Sequence, residues 1–340
     1  MSEIKAPLVC LFGEDKVGKT SAALEAFTDA LWVGSRDNMQ TVWQNTLGLP
    51  LDDLYVQDPP VRALESRTEN GVDILGLDDL VAGIEQQDPK DRPKKLGVDD
   101  FNALVYSTYS FYDNSPGATT KNGAHDNFYA GKKVGPMIAR LCEKLRYLDI
   151  ATIFVCHEKP GKYDNDGAWQ KGSVDFPWRG MAKELRRMFD INVRILGNED
   201  SLDPWFNRTF FHRPFDKNWI TGDRSEVCWD VTPGRLYEVL RAGGYEVRRF
   251  PGLEWQDDVA DEVAALLAGV TNRLDVQKIL AETGKTWHID GRNRKHVRWA
   301  VQDGIARMQI QRRQTADLFA FAPEPTGTVA KVGGSGKLPS

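Results

Sequence analysis

Short apolar runs alternate along the chain with segments whose apolar residues recur at helical spacing. Leu8 to Phe12 is apolar throughout, which is typical of a strand buried on both faces of a parallel sheet. Val134 to Leu148 carries a helical pattern. Further strands are predicted at Leu31 to Gly34, Leu54 to Gln57, Leu96 to Asp99, Ile150 to Cys156, Ile191 to Leu196, Thr209 to His212 and Val227 to Val231. This alternation predicts an α/β fold with a mainly parallel sheet.

The first predicted strand runs directly into a loop that matches the pattern G-x-x-x-x-G-K-[ST], and Thr20 to Ala30 then reads as a helix. A polyphosphate needs many N–H donors at close range, which glycines and a helix N-terminus provide. In this pattern Lys19 reaches the β- and γ-phosphates, and the Thr20 hydroxyl ligates Mg²⁺. The alternative is a glycine-rich turn with an incidental lysine. The predicted nucleotide-binding residues are Gly13, Glu14, Asp15, Lys16, Val17, Gly18, Lys19 and Thr20.

A second carboxylate is expected to hold the Mg²⁺ from the end of a neighbouring strand. Asp99 is favoured, with Asp100 beside it as a group that polarises the attacking water, although Lys94 and Lys95 stand where apolar residues are expected. The competing candidates are Asp73, Asp78 and Asp79, whose segment runs into a helix-like pattern. Either set is alternatively a group of solvated turn carboxylates.

The most strongly apolar strand, Ala151 to Cys156, delivers His157 and Glu158 at its C-terminal end. Ligands of open α/β sheets bind at that edge. His157 is therefore a candidate sensor of the γ-phosphate that passes its state to the following loop, or else a histidine that merely caps a strand.

The C-terminal part of the chain changes character after about Pro251. Val259, Val263, Leu266, Leu267 and Val270 lie on one predicted helical face. Pro, Gly, Thr, Ser and Lys dominate the last residues, which have almost nothing to bury. The predicted organisation is an ATPase core at 1–250, a helical extension at 251–321 and a disordered tail at 322–340.

Composition limits the cellular location of the protein but does not identify its binding partner. The net charge of −5 gives no global attraction to nucleic acid, so DNA binding would need a local basic patch. No run approaches the roughly 18 apolar residues that span a bilayer, and the N-terminal apolar run is too short for a secretory signal. Widely separated Cys10, Cys142, Cys156 and Cys228 favour buried free thiols over disulfides or a zinc site. A cytoplasmic protein without a membrane partner is expected.

No N-K-x-D-like motif for reading guanine is present, and Asp73 to Gly76 matches D-x-x-G only loosely, so ATP is favoured over GTP. A small nucleotide kinase would usually be shorter. The order of Gly13 to Thr20, Val98 to Asp100, Phe154 to Glu158 and Gly222 to Arg224 resembles RecA-core ATPases, particularly phage-encoded single-strand-annealing and recombination ATPases, over roughly residues 5–235.

The resemblance implies a RecA-like P-loop NTPase core that works as a ring or filament of identical subunits. A glutamate or histidine near the sheet edge would activate water, and Arg224, with Lys217, would reach the ATP of the next subunit. Asp37 is the nearest acid after Leu31 to Gly34, where a catalytic glutamate would be expected. The candidate catalytic residues are thus Lys19, Asp100, His157, Glu158 and Arg224, and the candidate metal ligands are Thr20 and Asp99.

Two long loops are predicted, Asp113 to Gly131 and Lys159 to Gly180. By the resemblance, the second would contact single-stranded DNA. Its aromatic residues suit base stacking, but its four cations outnumber its three acids by only one, which gives little net attraction to DNA phosphates. A hydrophobic lid or a subunit contact is the alternative. The aromatic residues and cations are Tyr163, Trp169, Phe176, Trp178, Lys159, Lys162, Lys171 and Arg179.

A second basic feature lies at Lys285 to Arg313, which has eight Lys or Arg against two acids. It is either a nucleic-acid-binding helix or the partner of the acidic segment Glu254 to Glu282. The function expected is a Mg²⁺-dependent ATPase acting on single-stranded DNA in phage or bacterial recombination, annealing or replication. The alternatives are a motor on duplex DNA, for packaging or unwinding, and a nucleotide-gated protein adaptor with little hydrolysis.

Overall fold

The computed structural model describes residues 6–44, 50–126, 128–163, 167–177, 188–197, 209–211, 222–223, 231–233, 236–242, 245, 255–270, 275, 278–279, 300–301 and 303–312. The strands in these ranges are β1 (Leu8–Gly13), β2 (Leu31–Gly34), β3 (Tyr55–Val56), β4 (Arg67–Glu69), β5 (Val72–Ile74), β6 (Lys95–Asp99), β7 (Ala151–Lys159), β8 (Lys162–Tyr163), β9 (Trp169–Gln170), β10 (Ser173–Val174), β11 (Ile191–Leu196), β12 (Thr209–Phe211), β13 (Gly222–Asp223) and β14 (Val231–Pro233).

The α-helices with defined bounds are α1 (Lys19–Ala26), α2 (Arg36–Val42), α3 (Leu77–Gln86), α4 (Phe101–Asp113), α5 (Tyr129–Tyr147), α6 (Leu236–Ala242) and α7 (Trp255–Leu267). Short 3₁₀ helices lie at Leu51–Asp53 and Pro116–Ala118. Residues 303–312 are also helical.

The main sheet has the strand order β14-β12-β11-β1-β7-β6-β2-β3. The strands from β11 to β3 run parallel, whereas β12 and β14 are antiparallel to their neighbours. Strand β7 lies between β1 and β6, so the C-terminal ends of these three strands meet at one edge. The prediction of an α/β fold with a mainly parallel sheet is confirmed.

Alternating side chains of the central strands enter two separate cores, one on each face of the sheet. Leu8, Cys10 and Phe12 of β1 pack with residues of α3, α4 and α5. Val9 and Leu11 pack with residues of α1, α2 and α6 on the other face. Because both faces are covered by helices, the parallel strands read as continuous apolar runs.

A third hydrophobic cluster joins α7 to the helical segment 303–312 through residues such as Val263 and Met308. Arg307 is buried and bonds to Glu238 of α6 and to Asp257 and Asp261 of α7. Arg312 donates to the carbonyls of Leu267, Ala268 and Val270, which end α7. Arg307 thus pairs with acids of the segment Glu254 to Glu282, as the helix-pairing interpretation expects, whereas the described contacts of Arg312 are with backbone carbonyls of that segment. The other six cations lie outside the described residues.

Several element boundaries differ from the sequence predictions. The helix predicted to reach Ala30 ends at Ala26, because Phe27 leaves the helical conformation and a turn joins it to Ala30 before β2. The predicted loop Asp113 to Gly131 begins in the last turn of α4, contains a 3₁₀ turn and ends inside α5. The predicted strand Val227 to Val231 meets a strand only at Val231, since 227–230 lie outside the described residues.

The segment predicted as a loop from Lys159 to Gly180 contains strands in its described part. Its first residue ends β7, β8 and β9 form a hairpin, and β10 pairs with β7. Across the described ranges, no helix is both long enough and apolar enough to cross a bilayer.

Candidate functional site

The loop between β1 and α1, residues 14–18, is a tight turn with two residues in the left-handed region. Lys16 and Gly18 have φ values of 64° and 90°, in the left-handed region. Glycine adopts that region at least cost, which explains the requirement at position 18. A Cβ on Gly13 would lie 2.7 Å from the carbonyl oxygen of Ile195, so β11 also requires glycine there. Helix α1 therefore begins directly behind the loop, with its first N–H groups directed toward it.

Lys19 folds back over this loop. Its Nζ donates to the carbonyl oxygens of Gly13 at 3.0 Å and Glu14 at 2.5 Å, and it lies 4.0 Å from the Asp15 carboxylate. Burial lowers the pKa of Lys19, while Asp15, Asp99 and Asp100 act in the opposite direction. The ammonium group is thus held by two backbone carbonyls and lies near the Asp15 carboxylate, where the motif predicts phosphate oxygens.

Thr20 and Asp99 come together although 79 residues separate them in the sequence. The Thr20 hydroxyl donates to Asp99 Oδ2 at 2.6 Å. Burial raises the pKa of Asp99, and the bond from Thr20 partly offsets this. A hydroxyl and a carboxylate side by side are the hard oxygen donors that Mg²⁺ prefers, so these two residues fit the predicted metal site.

Among the residues that the structure describes, no group of three or more His, Cys, Asp and Glu could hold a metal ion. Mg²⁺ in phosphate sites is usually held by one or two protein oxygens together with water and substrate phosphates.

Lys95 interrupts the apolar pattern of β6 without disrupting the strand. Its side chain is buried, and Nζ lies 2.5 Å from Asp29 Oδ1. A buried cation is tolerated when it is paired in this way. Strand β6 can therefore run through Lys95 and deliver Asp99 to the sheet edge.

His157 is clamped between two carboxylates at the end of β7. Its Nδ1 lies 2.5 Å from Asp15 Oδ1 in the glycine-containing loop, and its Nε2 lies 2.9 Å from Asp100 Oδ2. Asp100 also caps α4, since its Oδ1 accepts from the backbone N–H of Asn102 at 2.8 Å. The structure thus connects His157, the predicted sensor, both to the loop between β1 and α1 and to Asp100 beside Asp99.

Glu158 is oriented differently from its neighbour His157. Both of its carboxylate oxygens accept from the Arg194 guanidinium, at 2.7 and 3.0 Å, and its side chain is only 3% exposed. Since β7 and β11 flank β1, this ion pair bridges the two strands across the base of the loop. Both carboxylate oxygens are thus engaged by Arg194, whereas the predicted role of Glu158 as a catalytic base needs an oxygen that can accept a proton from water.

Asn102, which the sequence predictions missed, connects three parts of the site. Its Oδ1 accepts from the backbone N–H of His157 at 2.8 Å, and its Nδ2 donates to the carbonyl oxygen of Asp175. The side chain is 3% exposed. The sequence signal that could have identified Asn102 is an amide side chain between Phe101 and Leu104, on the apolar face of a helix.

The competing acidic residues lie in another part of the structure. Asp73 belongs to the β4–β5 hairpin, where it accepts from the Thr68 hydroxyl at 2.7 Å. Asp78 lies in the first turn of α3 and accepts from the Ser66 N–H. None of the described contacts of Asp73 and Asp78 resembles the hydrogen bond that Asp99 accepts from Thr20. Asp37, in the first turn of α2, is likewise a helix-start residue.

The predicted base-stacking residues divide into different environments. Phe176 is buried, and its ring packs against Phe101 at a centroid distance of 6.1 Å. It is therefore a core residue, and the expectation that it stacks on bases is wrong for the described conformation. Tyr163, in contrast, is 69% exposed. Trp178, Arg179, Lys217 and Arg224 lie outside the described residues, so their predicted roles remain predictions.

No protein-family model matches this chain, and no curated protein matches it at the significance level applied.

Proposed function

We propose that the chain is a RecA-like P-loop protein that binds ATP with Mg²⁺ at Gly13 to Thr20 and hydrolyses it. The observation that carries this proposal is the 2.6 Å hydrogen bond between Thr20 and Asp99. It joins the hydroxyl of a phosphate-binding motif to the carboxylate that ends β6, separated from β1 by β7, at the C-terminal edge of a mainly parallel sheet. That edge is where ligands bind in such folds.

The protein groups have separate tasks in this proposal. Backbone N–H groups of the loop and of the first turn of α1 bind the phosphates, and Lys19 exchanges its carbonyl acceptors for phosphate oxygens. Thr20 and Asp99 would hold the Mg²⁺, which would neutralise the negative charge that develops on the phosphates. Asp100 orients the attacking water, and His157 contacts both Asp100 and the loop.

We further propose that single-stranded DNA is the partner, in phage or bacterial recombination, annealing or replication, with a ring or filament of subunits that includes Arg224. The support is the resemblance together with the described residues 160–163 and 167–177, which follow β7 in the chain. Exposed Tyr163 beside Lys162 is suited to stacking on a base and neutralising a phosphate.

A nucleotide-gated adaptor with slow hydrolysis is the second candidate. It is favoured by the engagement of the acid–base groups at this edge: Glu158 is paired with Arg194, and His157 with Asp15 and Asp100. Binding without rapid chemistry would follow if these pairs persist in the complex.

ATP hydrolysis measured alone, with single-stranded DNA and with duplex DNA separates these functions. The proposal expects hydrolysis that depends on Mg²⁺ and increases with single strands. Tight ATP binding with no hydrolysis under all three conditions would support the adaptor instead. Stimulation by duplex alone would indicate a translocating motor.

A further inference from the structure

Asn102 connects Asp100 and His157, at the C-terminal edge of the sheet, with Asp175 in the segment 159–177. Its backbone N–H is bound by the Asp100 carboxylate, and its side chain bridges the N–H of His157 and the carbonyl of Asp175. We propose that Asn102 is the positioning residue through which bound nucleotide alters the 159–177 segment. This inference rests on the proposed nucleotide site.

The chemistry of the two bonds selects an amide at this position. The same side chain must accept from one backbone group and donate to another, which Asn does and which Asp or Leu does not. Asn102 continues the β7–β10 ladder beyond its last pair, Val174 with Glu158. Because the amide is buried, losing either bond would leave a backbone group without its partner in a site of low solvent access.

Asp175 transmits the position of Asn102 to the rest of the segment. Its N–H donates to the carbonyl of His157 at 2.9 Å, and its carboxylate contacts the Tyr106 hydroxyl at 3.1 Å and Lys159 Nζ at 3.3 Å. The adjacent β10 is paired with β7. A shift of Asn102 would therefore be passed through backbone hydrogen bonds to the part of the segment next to β10.

Bound phosphate would displace Asn102 through Asp15 and His157. The Asp15 carboxylate that holds His157 lies in the phosphate loop, 4.0 Å from Lys19 Nζ. Phosphate oxygens on Lys19 would repel this carboxylate, which frees His157 on the side of the loop. Since Asn102 is bonded both to the backbone of His157 and to Asp100, it responds to a change at either residue.

Amide hydrogen exchange of the full-length protein tests the coupling, measured with and without Mg²⁺ and a non-hydrolysable ATP analogue. In the wild type, we expect exchange in peptides covering 159–177 to speed up by about fivefold or more, the lower end of typical coupling between sites, because displacement of Asn102 loosens the bonds that hold Asp175. In Asn102→Ala, the analogue should still bind, but the acceleration should shrink to less than about twofold. The same acceleration in Asn102→Ala would overturn the inference.

Two further variants define the route. Tyr106→Phe removes a contact to the Asp175 carboxylate but leaves both Asn102 bonds, so it should retain the acceleration. Loss of the acceleration in this variant would overturn the backbone route. Asn102→Asp keeps the shape and the acceptor for His157 but removes the donor to Asp175, and it replaces the alanine variant if that protein does not fold.

The controls separate this inference from the nucleotide site itself. If the wild type does not bind the analogue by calorimetry, the proposed function fails. If it binds the analogue while exchange in 159–177 is unchanged, only the coupling through Asn102 fails.

Discussion

The Thr20 hydroxyl donates a 2.6 Å hydrogen bond to Asp99, which joins the start of α1 to the end of β6. This contact brings together two side chains that were assigned to Mg²⁺ from different parts of the sequence. Because burial raises the pKa of the half-buried Asp99, its ionised form is favoured by a partner such as this hydroxyl or a cation. The pair therefore predicts how ATP binding depends on the metal.

Thr20→Val should remove most of the Mg²⁺ dependence of ATP binding. The substitution keeps the side-chain shape and deletes the oxygen, so the gain in ATP affinity on adding Mg²⁺ should fall by about tenfold, comparable to a lost bond to a charged group. Calorimetric titrations with Mg²⁺ and with EDTA measure this gain. Thr41→Val, which removes a hydroxyl bonded within α2, is the matched control. An unchanged Mg²⁺ dependence in Thr20→Val would exclude Thr20 from the metal site.

Asp15→Asn should tighten ATP binding. The Asp15 carboxylate lies 4.0 Å from Lys19 Nζ and is 76% exposed, so its repulsion of phosphate is partly screened by solvent. We expect a gain of about threefold to tenfold in affinity at low salt, and a smaller gain as salt is raised. Glu14→Gln removes the same charge from the same loop, where only the backbone carbonyl of Glu14 contacts Lys19. Weaker binding by Asp15→Asn than by Glu14→Gln would contradict this electrostatic account.

Glu158→Gln should destabilise the fold. It leaves the Arg194 guanidinium, whose side chain is 16% exposed, without its ionised partner. Breaking a buried pair on one side costs about 3 kcal/mol, whereas replacing both partners costs much less. Urea unfolding followed by tryptophan fluorescence should therefore show a large loss for Glu158→Gln and partial recovery in Glu158→Gln/Arg194→Met. Equal stability of wild type and Glu158→Gln would indicate that Glu158 is free, as a catalytic base would be.

Phe176 and Tyr163 should respond in opposite ways to replacement by alanine. Phe176→Ala opens a cavity beside Phe101 and should lower the free energy of unfolding by about 3 kcal/mol or more. Tyr163→Ala should change it by less than about 0.5 kcal/mol, because the side chain is 69% exposed. If Tyr163 stacks on a base, its replacement should also weaken binding to labelled single strands by about 1 kcal/mol or more, as fluorescence anisotropy would show. Unchanged anisotropy would remove Tyr163 from the DNA proposal.

The parts of the site that follow from local pattern were predictable. A strand, two glycines, a lysine and a threonine lie within thirteen consecutive residues from Leu8 to Thr20, and backbone geometry alone connects them. Asp99 was placed at the sheet edge because the C-terminal ends of parallel strands meet there. Its weak apolar run was misleading only because the partner of Lys95, Asp29, lies 66 residues earlier in the chain.

The parts that depend on tertiary pairing were missed. Glu158 looked available because nothing near it in sequence identifies Arg194, 36 residues later, as its partner. Phe176 looked exposed because its segment has no periodic pattern, yet Phe101 covers it. Asn102 had a local signal, an amide on an apolar helical face, but its two backbone partners come from β7 and from the residue after β10.

Nucleotide binding by Lys19→Ala tests the central claim most directly. Calorimetry with ATP and Mg²⁺ should show wild-type binding and a loss of about a hundredfold or more in Lys19→Ala, on the scale of a buried charged contact to phosphate. Lys90→Ala, which removes a lysine whose side chain is 74% exposed, should bind as the wild type does. ATP affinity in Lys19→Ala equal to that of Lys90→Ala would contradict the assignment of Gly13 to Thr20 as the nucleotide site.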